Sequence, residues 1–266
     1  EELIAEAKTM AEQGVKELVL VAQETTIYGI DLYGKPSLHL LLKELCKIQE
    51  LYWIRILYCY PEEIYEELID AIARNEKVCH YLDLPIQHAN DEILRRMGRR
   101  TSKQELIDKI DFLRSEMPDI TLRTTLITGF PGETKEQHKE LLEFINDMEF
   151  DRLGVFTYSP EEGTPAAAME HQIDEEVKLD RQAELMELQQ DISAELGERR
   201  IGQELLVMIE GKVADEDAYV GRSQADAPGV DGYVFVNTPE TLVSGDFVRV
   251  KITGALEYDL IGEISQ

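Results

Sequence analysis

The fold of this chain is decided by one stretch, Thr121-Leu122-Arg123-Thr124-Thr125-Leu126-Ile127-Thr128-Gly129-Phe130-Pro131-Gly132-Glu133-Thr134. Its first half is apolar and β-branched, which predicts a buried strand, and Gly129, Pro131 and Gly132 end that strand sharply. Thr134 is placed to cap the amphipathic helix that follows. The stretch therefore predicts a β-turn-α unit whose glycine-rich turn lies at the carboxyl end of a strand, where α/β folds bind ligands. A tight connection without a ligand is the alternative.

The same alternation of buried strand and amphipathic helix runs through residues 1–200. Strands separated by helices of this length indicate right-handed crossovers in a parallel sheet. The chain opens on a helix, 3–13, whereas a β/α unit normally begins with its strand, so we expect a first strand upstream of residue 1. The predicted strands are 17–22, 53–58, 78–84, 120–127 and 152–158, and the helices between them are 38–48, 61–73, 103–116 and 134–147.

Polar clusters follow the predicted strand ends. In a (β/α) barrel the carboxyl ends of all strands meet at one rim, and sites lie at that rim. The clusters therefore favour an α/β fold of the partial (β/α) barrel type over a doubly wound sheet, and they predict a site. They are Gln23–Gly29, Tyr58–Pro61, Pro85–His88, the glycine-rich turn and Tyr158–Pro160.

The pattern changes after residue 200. A long helix is predicted at 174–200, and short strands separated by Gly, Asp and Pro turns follow it, which is typical of a small antiparallel β-barrel of the OB-like type. We therefore predict two domains, 1–200 and 201–266. The second carries four basic residues against twelve acidic ones, so RNA binding is not expected of it.

The whole chain carries 54 acidic and 27 basic residues, a formal net charge of −27. Binding of nucleic acid depends on Lys and Arg neutralising phosphates, so this balance argues against nucleic acid as the main contact. It suits a basic partner, with simple solubility as the alternative. No apolar run approaches the ~18 residues that span a bilayer. No signal peptide is visible either, so we expect no membrane contact and a cytoplasmic location. We also expect the protein to be a monomer.

The three cysteines, Cys46, Cys59 and Cys79, fit no disulfide framework, zinc motif or iron–sulfur signature. Cys59 and Cys79 lie in apolar, strand-like stretches and are most simply core residues. The sequence therefore predicts no metal ligand among the cysteines of this chain.

Three segments outside the glycine-rich turn match the pattern of one family. They are Val21–Gly29, Leu84–His88 with Leu94–Arg99, and Gly221–Gly232. Together with the β/α order and the terminal barrel, they resemble the methylthiotransferase branch of the radical SAM enzymes, whose terminal barrel is the TRAM domain. His88 and Gly221–Gly232 are similar to the subgroup that modifies ribosomal small-subunit protein twelve, rather than to the tRNA-modifying subgroup. The resemblance covers essentially the whole chain.

The resemblance implies a reaction that replaces an unactivated C–H bond with C–SCH3. No protein side chain abstracts such a hydrogen, so a cofactor must supply the radical, and no catalytic residue is expected in this chain. The implied cofactors are S-adenosylmethionine and two 4Fe-4S clusters. The family pattern assigns Gln23, Glu24 and Thr26 to the amino and carboxylate groups of the methionine moiety. It assigns Ile127, Thr128 and Gly129 to adenine. Gln87 and Arg123 are the candidates for contacts with the ribose or the carboxylate. For each, a structural polar residue at the start of a loop is the alternative.

The implied substrate is an aspartate of a basic ribosomal small-subunit protein. We expect Asp226 and Asp231, in the family-specific segment of the acidic terminal barrel, to bind it as exposed rim charges. The alternatives are a tRNA adenosine methylthiotransferase and, from another class, a non-catalytic binding module that kept the barrel.

The family's CxxxCxxC triad, which holds the cluster, is absent from these 266 residues. We expect it just upstream of Glu1, so the chain resembles a truncated product. The fragment by itself is therefore expected to bind no cluster and to be inactive.

Overall fold

The structure is a computed structural model that describes residues 1–265. Five parallel strands form one open sheet in the spatial order β1-β2-β3-β4-β5. Each strand lies beside the next one in sequence, as consecutive crossovers require. The predicted partial (β/α) barrel is confirmed. Its strands are β1 (Glu17–Leu20), β2 (Trp53–Ile56), β3 (Val78–Gln87), β4 (Thr121–Thr128) and β5 (Arg152–Thr157).

Helices connect the strands and extend beyond the sheet. The predicted helix 61–73 divides into a 3-10 turn at Pro61–Glu63 and an α-helix from Glu66. Two helices of four and six residues, α2 and α5, escaped prediction because they are too short to show a helical period. The helices are α1 (Glu2–Glu12), α2 (Ile30–Tyr33), α3 (Leu38–Leu45), α4 (Glu66–Arg74), α5 (Asp91–Arg96), α6 (Lys103–Glu116), α7 (Lys135–Met148) and α8 (Glu175–Glu198).

The glycine-rich turn joins β4 to α7 as the sequence predicts. Thr134 caps α7: its hydroxyl accepts a hydrogen bond from the Gln137 backbone N–H at 3.2 Å, and Gln137 Oε1 accepts one from the Thr134 N–H at 2.9 Å. This reciprocal capping box satisfies two N–H groups that an uncapped helix would leave free. The first turn of α7 is therefore held at a defined distance from the strand end.

The two faces of the parallel sheet have different coverings. Ile54, Leu82 and Leu122 are fully buried on one face, in a core shared with the helices. Residues that alternate with these, such as Trp53 and Tyr81, pack on the other face against Ala227 of the terminal barrel. The C-terminal part of the chain thus covers the face that the helices leave open.

The terminal part forms a closed five-stranded barrel in the order β10-β8-β7-β6-β9. Four strand pairs are antiparallel as predicted, but β8 and β10 pair in parallel. The predicted boundary at residue 200 lies in the turn between α8 and β6, and a division into two domains there stays a prediction. The strands are β6 (Glu204–Lys212), β7 (Ala218–Arg222), β8 (Val234–Asn237), β9 (Phe247–Ala255) and β10 (Leu260–Ile264).

A layer of buried ion pairs joins this barrel to the parallel sheet. Arg222 Nη2 lies 2.6 Å from Glu17 Oε2, and Glu17 Oε1 accepts a hydrogen bond from Arg55 Nε at 2.8 Å. Arg55 also donates to the backbone oxygen of Gln224 at 2.7 Å. Further along, Arg152 Nη2 lies 2.6 Å from Asp226, and Arg123 Nε lies 3.5 Å from Asp231. We call these residues, with Asp83, the ion-pair layer: Glu17, Arg55, Asp83, Arg123, Arg152, Arg222, Asp226 and Asp231.

The predicted exposure of Asp226 and Asp231 is wrong. Their side chains are only 3% and 2% exposed, because the loop between β7 and β8 packs against the sheet. Burial by itself raises the pKa of Asp226, but Arg152 and hydrogen bonds from Ser223 hold that pKa below its usual value. Asp231 accepts a hydrogen bond from the Tyr81 hydroxyl at 2.6 Å. Their contact with a substrate stays a prediction, but they do not lie on the surface as rim charges.

Asp226→Asn is expected to destabilise the protein strongly, because it leaves the Arg152 guanidinium buried without an ionic partner. Breaking a buried pair in this way costs about 3 kcal/mol or more. The matched control is Glu143→Gln, which removes an exposed partner of Lys139 and should cost less than about 1 kcal/mol. Urea unfolding midpoints of both variants measure the difference. Equal shifts in the two variants would contradict a structural role for the ion-pair layer.

Candidate functional site

The five predicted polar segments lie side by side along one rim, although β3 runs beyond its predicted end at residue 84 and includes Pro85–Gln87. Backbone hydrogen bonds join neighbouring elements at this rim: the Thr25 N–H donates to the Tyr58 oxygen at 3.0 Å, and the Cys59 N–H donates to the oxygen of Asp83 in β3 at 2.9 Å. At the other end, the Tyr158 N–H donates to the Thr128 oxygen at 2.9 Å. The structure therefore brings together the polar segments that the sequence placed at separate strand ends.

Glu24 fixes the first of these segments. One carboxylate oxygen accepts hydrogen bonds from the backbone N–H and the hydroxyl of Thr26, and the other accepts one from the Tyr60 N–H at 2.9 Å. Burial nevertheless raises the pKa of Glu24. Thr26 is fully buried, whereas Gln23 is exposed. Glu24 and Thr26 thus hold the loops after β1 and β2 together, and their contact with a cofactor stays a prediction, as does that of Gln23.

Gln87, the last residue of β3, and Tyr58, two residues after β2, have a strained backbone conformation. Their φ angles are 71° and 58°, in the left-handed region that non-glycine residues seldom adopt. The buried Oε1 atom of Gln87 has no hydrogen-bond partner among residues 1–265. Strain and an orphaned acceptor at one position are typical of a ligand site, and a hydroxyl or ammonium group would satisfy this oxygen.

Arg123 is shared between two carboxylates of the ion-pair layer. Its Nη1 atom donates to Asp83 Oδ1 at 2.7 Å, while its Nε atom lies 3.5 Å from Asp231. Asp83 also accepts a hydrogen bond from the Tyr58 N–H at 3.2 Å. Arg123 therefore connects the terminal barrel to the rim. The predicted contact of Arg123 with a ligand is not tested by this geometry.

Glu133 organises the glycine-rich turn, and the sequence analysis did not single it out. It is fully buried, and its Oε2 atom accepts hydrogen bonds from the N–H groups of Gly129 at 2.6 Å and Phe130 at 3.2 Å. Its Oε1 atom lies 3.0 Å from Arg181 Nη1 of α8. The sequence signal that could have identified Glu133 is its position directly between the glycine-rich turn and the helix cap Thr134. Thr128 is fully buried in this turn and Ile127 partly so.

Gly129 contacts the chain itself rather than an open pocket. Its φ angle is +73°, and a Cβ atom there would clash with Lys178 Cγ. Lys178 is held in place because its Nζ atom donates to the Tyr158 oxygen at 2.8 Å. A side chain at Gly129 would therefore meet α8, and the predicted contact of Gly129 with adenine stays a prediction.

His88 is buried beside Glu133 in a defined tautomer. Its Nδ1 atom accepts a hydrogen bond from the Asn90 N–H at 2.9 Å, which leaves the proton on Nε2, 3.9 Å from Glu133 Oε2. Burial, with smaller contributions from His138 and Arg181, lowers the pKa of His88 to about 3. His88 is therefore a neutral, buried side chain beside the carboxylate that organises the glycine-rich turn.

The described residues do not fit an iron–sulfur cluster. No group of three or more His, Cys, Asp or Glu side chains among residues 1–265 lies close enough to hold a metal ion. Burial raises the pKa of Cys59 and brings that of Cys79 to about 12, whereas a thiol must lose its proton to bind iron. The prediction that this chain alone binds no cluster is untested and stays a prediction.

Sequence comparison assigns a family to both parts of the chain. Residues 1–145 match the radical SAM superfamily, and residues 201–264 match the TRAM domain. The chain belongs to the radical SAM superfamily. The predicted membership is thus confirmed, and S-adenosylmethionine with a 4Fe-4S cluster is the cofactor set that this superfamily implies. In the part of the chain that the structure describes, no helix is long and apolar enough to cross a membrane.

Two similar curated proteins share one name, "ribosomal protein uS12 methylthiotransferase RimO". The protein from Lachnoclostridium phytofermentans is 60% identical over 262 residues, which cover 98% of this chain and 60% of that protein. The protein from Clostridium perfringens is 54% identical over 264 residues, covering 99% and 59%. The chain therefore spans about three-fifths of the length of the curated relatives it matches. Among solved structures, Methanocaldococcus infernus Elp3 aligns with a TM-score of 0.49 at 18% identity, covering 71% of this chain and 50% of that one.

Gly129→Ala is expected to destabilise the protein through its contact with Lys178. The left-handed backbone costs a non-glycine residue about 1–2 kcal/mol, and the close contact adds to that cost. In a Lys178→Ala background the contact is relieved, so Gly129→Ala should cost at least about 1 kcal/mol less there. Urea unfolding of the four proteins in this cycle measures the coupling. An identical cost in both backgrounds would show that Lys178 is not what limits the position.

The neutral state of His88 predicts a loss of stability in acid. Its pKa is about 3 in the folded protein against an ordinary value of 6.5, so between these pH values only the unfolded chain binds the proton. The contribution of His88 is fully present above pH 6.5 and is lost as the pH falls from about 6.5 to about 3. His88→Gln should therefore flatten the acid limb of a plot of unfolding free energy against pH. Ring resonances of His88 that titrate near pH 6.5 would refute this assignment.

Proposed function

We propose that this chain provides the S-adenosylmethionine-binding barrel and the TRAM domain of a methylthiotransferase that modifies ribosomal protein uS12. The observation that carries the proposal is the identity of 60% with a protein of that name over 98% of this chain. The rim supports the proposal, because the strained backbone of Gln87, its unpartnered Oε1 atom and the glycine-rich turn all lie at this edge of the sheet. We also propose the cytoplasm as its location and a monomer as its state.

Residues of the rim would hold the cofactor. Gln87 Oε1 is the buried acceptor without a partner, and it suits a ribose hydroxyl or the methionine ammonium group. Gln23 is exposed on the loop after β1 and is free to bind the methionine end. The backbone around Ile127–Gly129 is held by Glu133, which suits it to pack against adenine. When bound, the cofactor supplies the radical that no side chain of this chain provides.

Arg123, Glu24 and Thr26 have positioning roles in this proposal. Arg123 presents a guanidinium that is 19% exposed between Asp83 and Asp231, so its direction is set before a ligand arrives. Glu24 and Thr26 hold the adjoining loops in one arrangement. Preorganised groups of this kind lower the cost of binding because little side-chain freedom remains to be lost.

The acidic surface of the terminal barrel would receive the basic ribosomal protein. Asp226 and Asp231 are occupied by arginines, but other carboxylates of this barrel are exposed. They attract a basic partner over about 8 Å at physiological salt, which raises the rate of association. The exposed acidic residues are Glu204, Asp215, Glu216, Asp217, Glu240, Glu257 and Glu263.

The proposed function is tested with the protein as its natural gene encodes it, reconstituted anaerobically with iron and sulfide. Incubation with S-adenosylmethionine, a reductant and purified uS12 should add one methylthio group, detected by mass spectrometry of uS12. The variant of uS12 with the acceptor aspartate replaced by asparagine is the control for position, and bulk tRNA is the control for substrate class. The 266-residue chain alone should show neither cluster absorbance nor activity.

Two outcomes would contradict this proposal. Methylthiolation of tRNA in place of uS12 would assign the protein to the tRNA-modifying subgroup. Binding of uS12 without any modification, in a protein with its cluster present, would indicate a non-catalytic binding module.

A further inference from the structure

The segment Arg95–Arg100 is part of a family-like motif, yet the cofactor site does not use it. Four of its six residues are arginines: Arg95, Arg96, Arg99 and Arg100. The segment contains the end of α5 and a turn in which Gly98 has a φ angle of +77°. It lies on the connection from β3 to α6, at the end of α5.

In the part of the chain that the structure describes, the arginines of this segment have no acidic partner, although the protein is strongly acidic. Among residues 1–265, eight of the fourteen arginines form ion pairs with Asp or Glu. Four of the remaining six are concentrated in this one segment. With twice as many acidic as basic residues available, a cluster of uncompensated guanidinium groups is not explained by a shortage of carboxylates.

Arg96 lies on the glycine-rich turn. Its guanidinium carbon is 5.9 Å from the centre of the Phe130 ring, and its Nη2 atom is 3.8 Å from the sulfur of Met169, in the loop after β5. A Cβ atom at Gly132 would lie 2.5 Å from Arg96 Nη1, so Gly132 leaves the space that this guanidinium fills. The neighbours of Arg96 fix its direction without neutralising its charge.

Arg99, three residues further along the same segment, is held by different neighbours. Its guanidinium stacks on the Tyr60 ring, with 4.5 Å between the guanidinium carbon and the ring centre, and its Nη2 atom donates to the Pro85 oxygen. Both arginines are only partly exposed. The two fixed guanidinium groups thus contact the loops after β2, β4 and β5 and the last residues of β3, which together form most of the rim.

A planar anion is the ligand that suits this arrangement. Guanidinium groups bind carboxylates through two parallel hydrogen bonds, and stacking on an aromatic ring leaves the N–H edge available for them. The net charge of −27 repels a polyanion such as RNA. A single carboxylate on a basic protein is not repelled in this way, because the protein that carries it is attracted and the carboxylate itself lies next to the arginines. The observations therefore favour a single carboxylate over a run of phosphates.

We propose that Arg96 and Arg99 form a carboxylate-recognition site for the acceptor aspartate region of the polypeptide substrate. This inference rests on the proposed function, and it adds the residues that would select an acidic side chain at the rim. The methionine carboxylate of the cofactor has the same chemistry, so the test must separate the two sources.

The test measures binding of purified uS12 to the naturally encoded protein by titration calorimetry. Arg96→Gln and Arg99→Gln should each raise the Kd for uS12 about 10-fold or more, because each removes a charge-assisted hydrogen-bonding pair. Arg96→Lys keeps the charge but loses the planar fork, so its Kd should fall in between. The matched control is Arg114→Gln, at the end of α6 away from the rim, which should change the Kd less than about twofold. Unfolding midpoints confirm that each variant is folded.

A double-mutant cycle with uS12 identifies the carboxylate. When the acceptor aspartate of uS12 is replaced by asparagine, Arg96→Gln should no longer weaken binding. Equal affinity of wild-type protein and both glutamine variants would overturn this site and leave the proposed function standing. Loss of S-adenosylmethionine binding with unchanged uS12 affinity would assign the arginines to the cofactor and overturn the proposal. No binding of uS12 by the wild-type protein would overturn both.

Discussion

The buried ion-pair layer is the constraint on which the rest of this structure depends. A parallel sheet is stable when both of its faces are covered, and here the helices cover only one. The other face carries charged side chains, including Arg55 and Arg152, that cannot be buried without partners. The terminal barrel supplies those partners through Asp226 and through the backbone of Gln224. The two parts of the chain therefore complete one another's buried surface.

This arrangement links the terminal barrel to the candidate site. Asp231 of the barrel holds Arg123, Arg123 holds Asp83, and Asp83 accepts a hydrogen bond from the strained Tyr58 backbone at the rim. Replacing Asp231 of the barrel would therefore remove one of the two carboxylates that hold Arg123, which in turn contacts Asp83 at the rim. The barrel is thus a structural support of the candidate site, besides carrying the acidic surface that we propose for a partner.

Two carboxylates that receive backbone hydrogen bonds give the rim its shape. Glu24 joins the loops after β1 and β2, and Glu133 joins the turn after β4 to α8 through Arg181. Loops built mainly of polar residues and glycine have few apolar contacts, so ionic hydrogen bonds take over the role that packing has in the core. Such fixed loops can present the Gln87 oxygen and the guanidinium groups of Arg96 and Arg99 in set directions.

The sequence by itself determined the order of strands and helices, the glycine-rich turn and the rim, because these follow from local periodicity and from the geometry of parallel sheets. It also indicated Gln87, whose orphaned oxygen the structure shows. Only the tertiary structure decided that Asp226 and Asp231 are buried, that Lys178 limits Gly129, and that Glu133 organises the turn. Whether a charged residue is exposed or paired depends on partners far away in the chain. The local sequence pattern does not indicate such contacts, because they form only when the two parts of the molecule pack together.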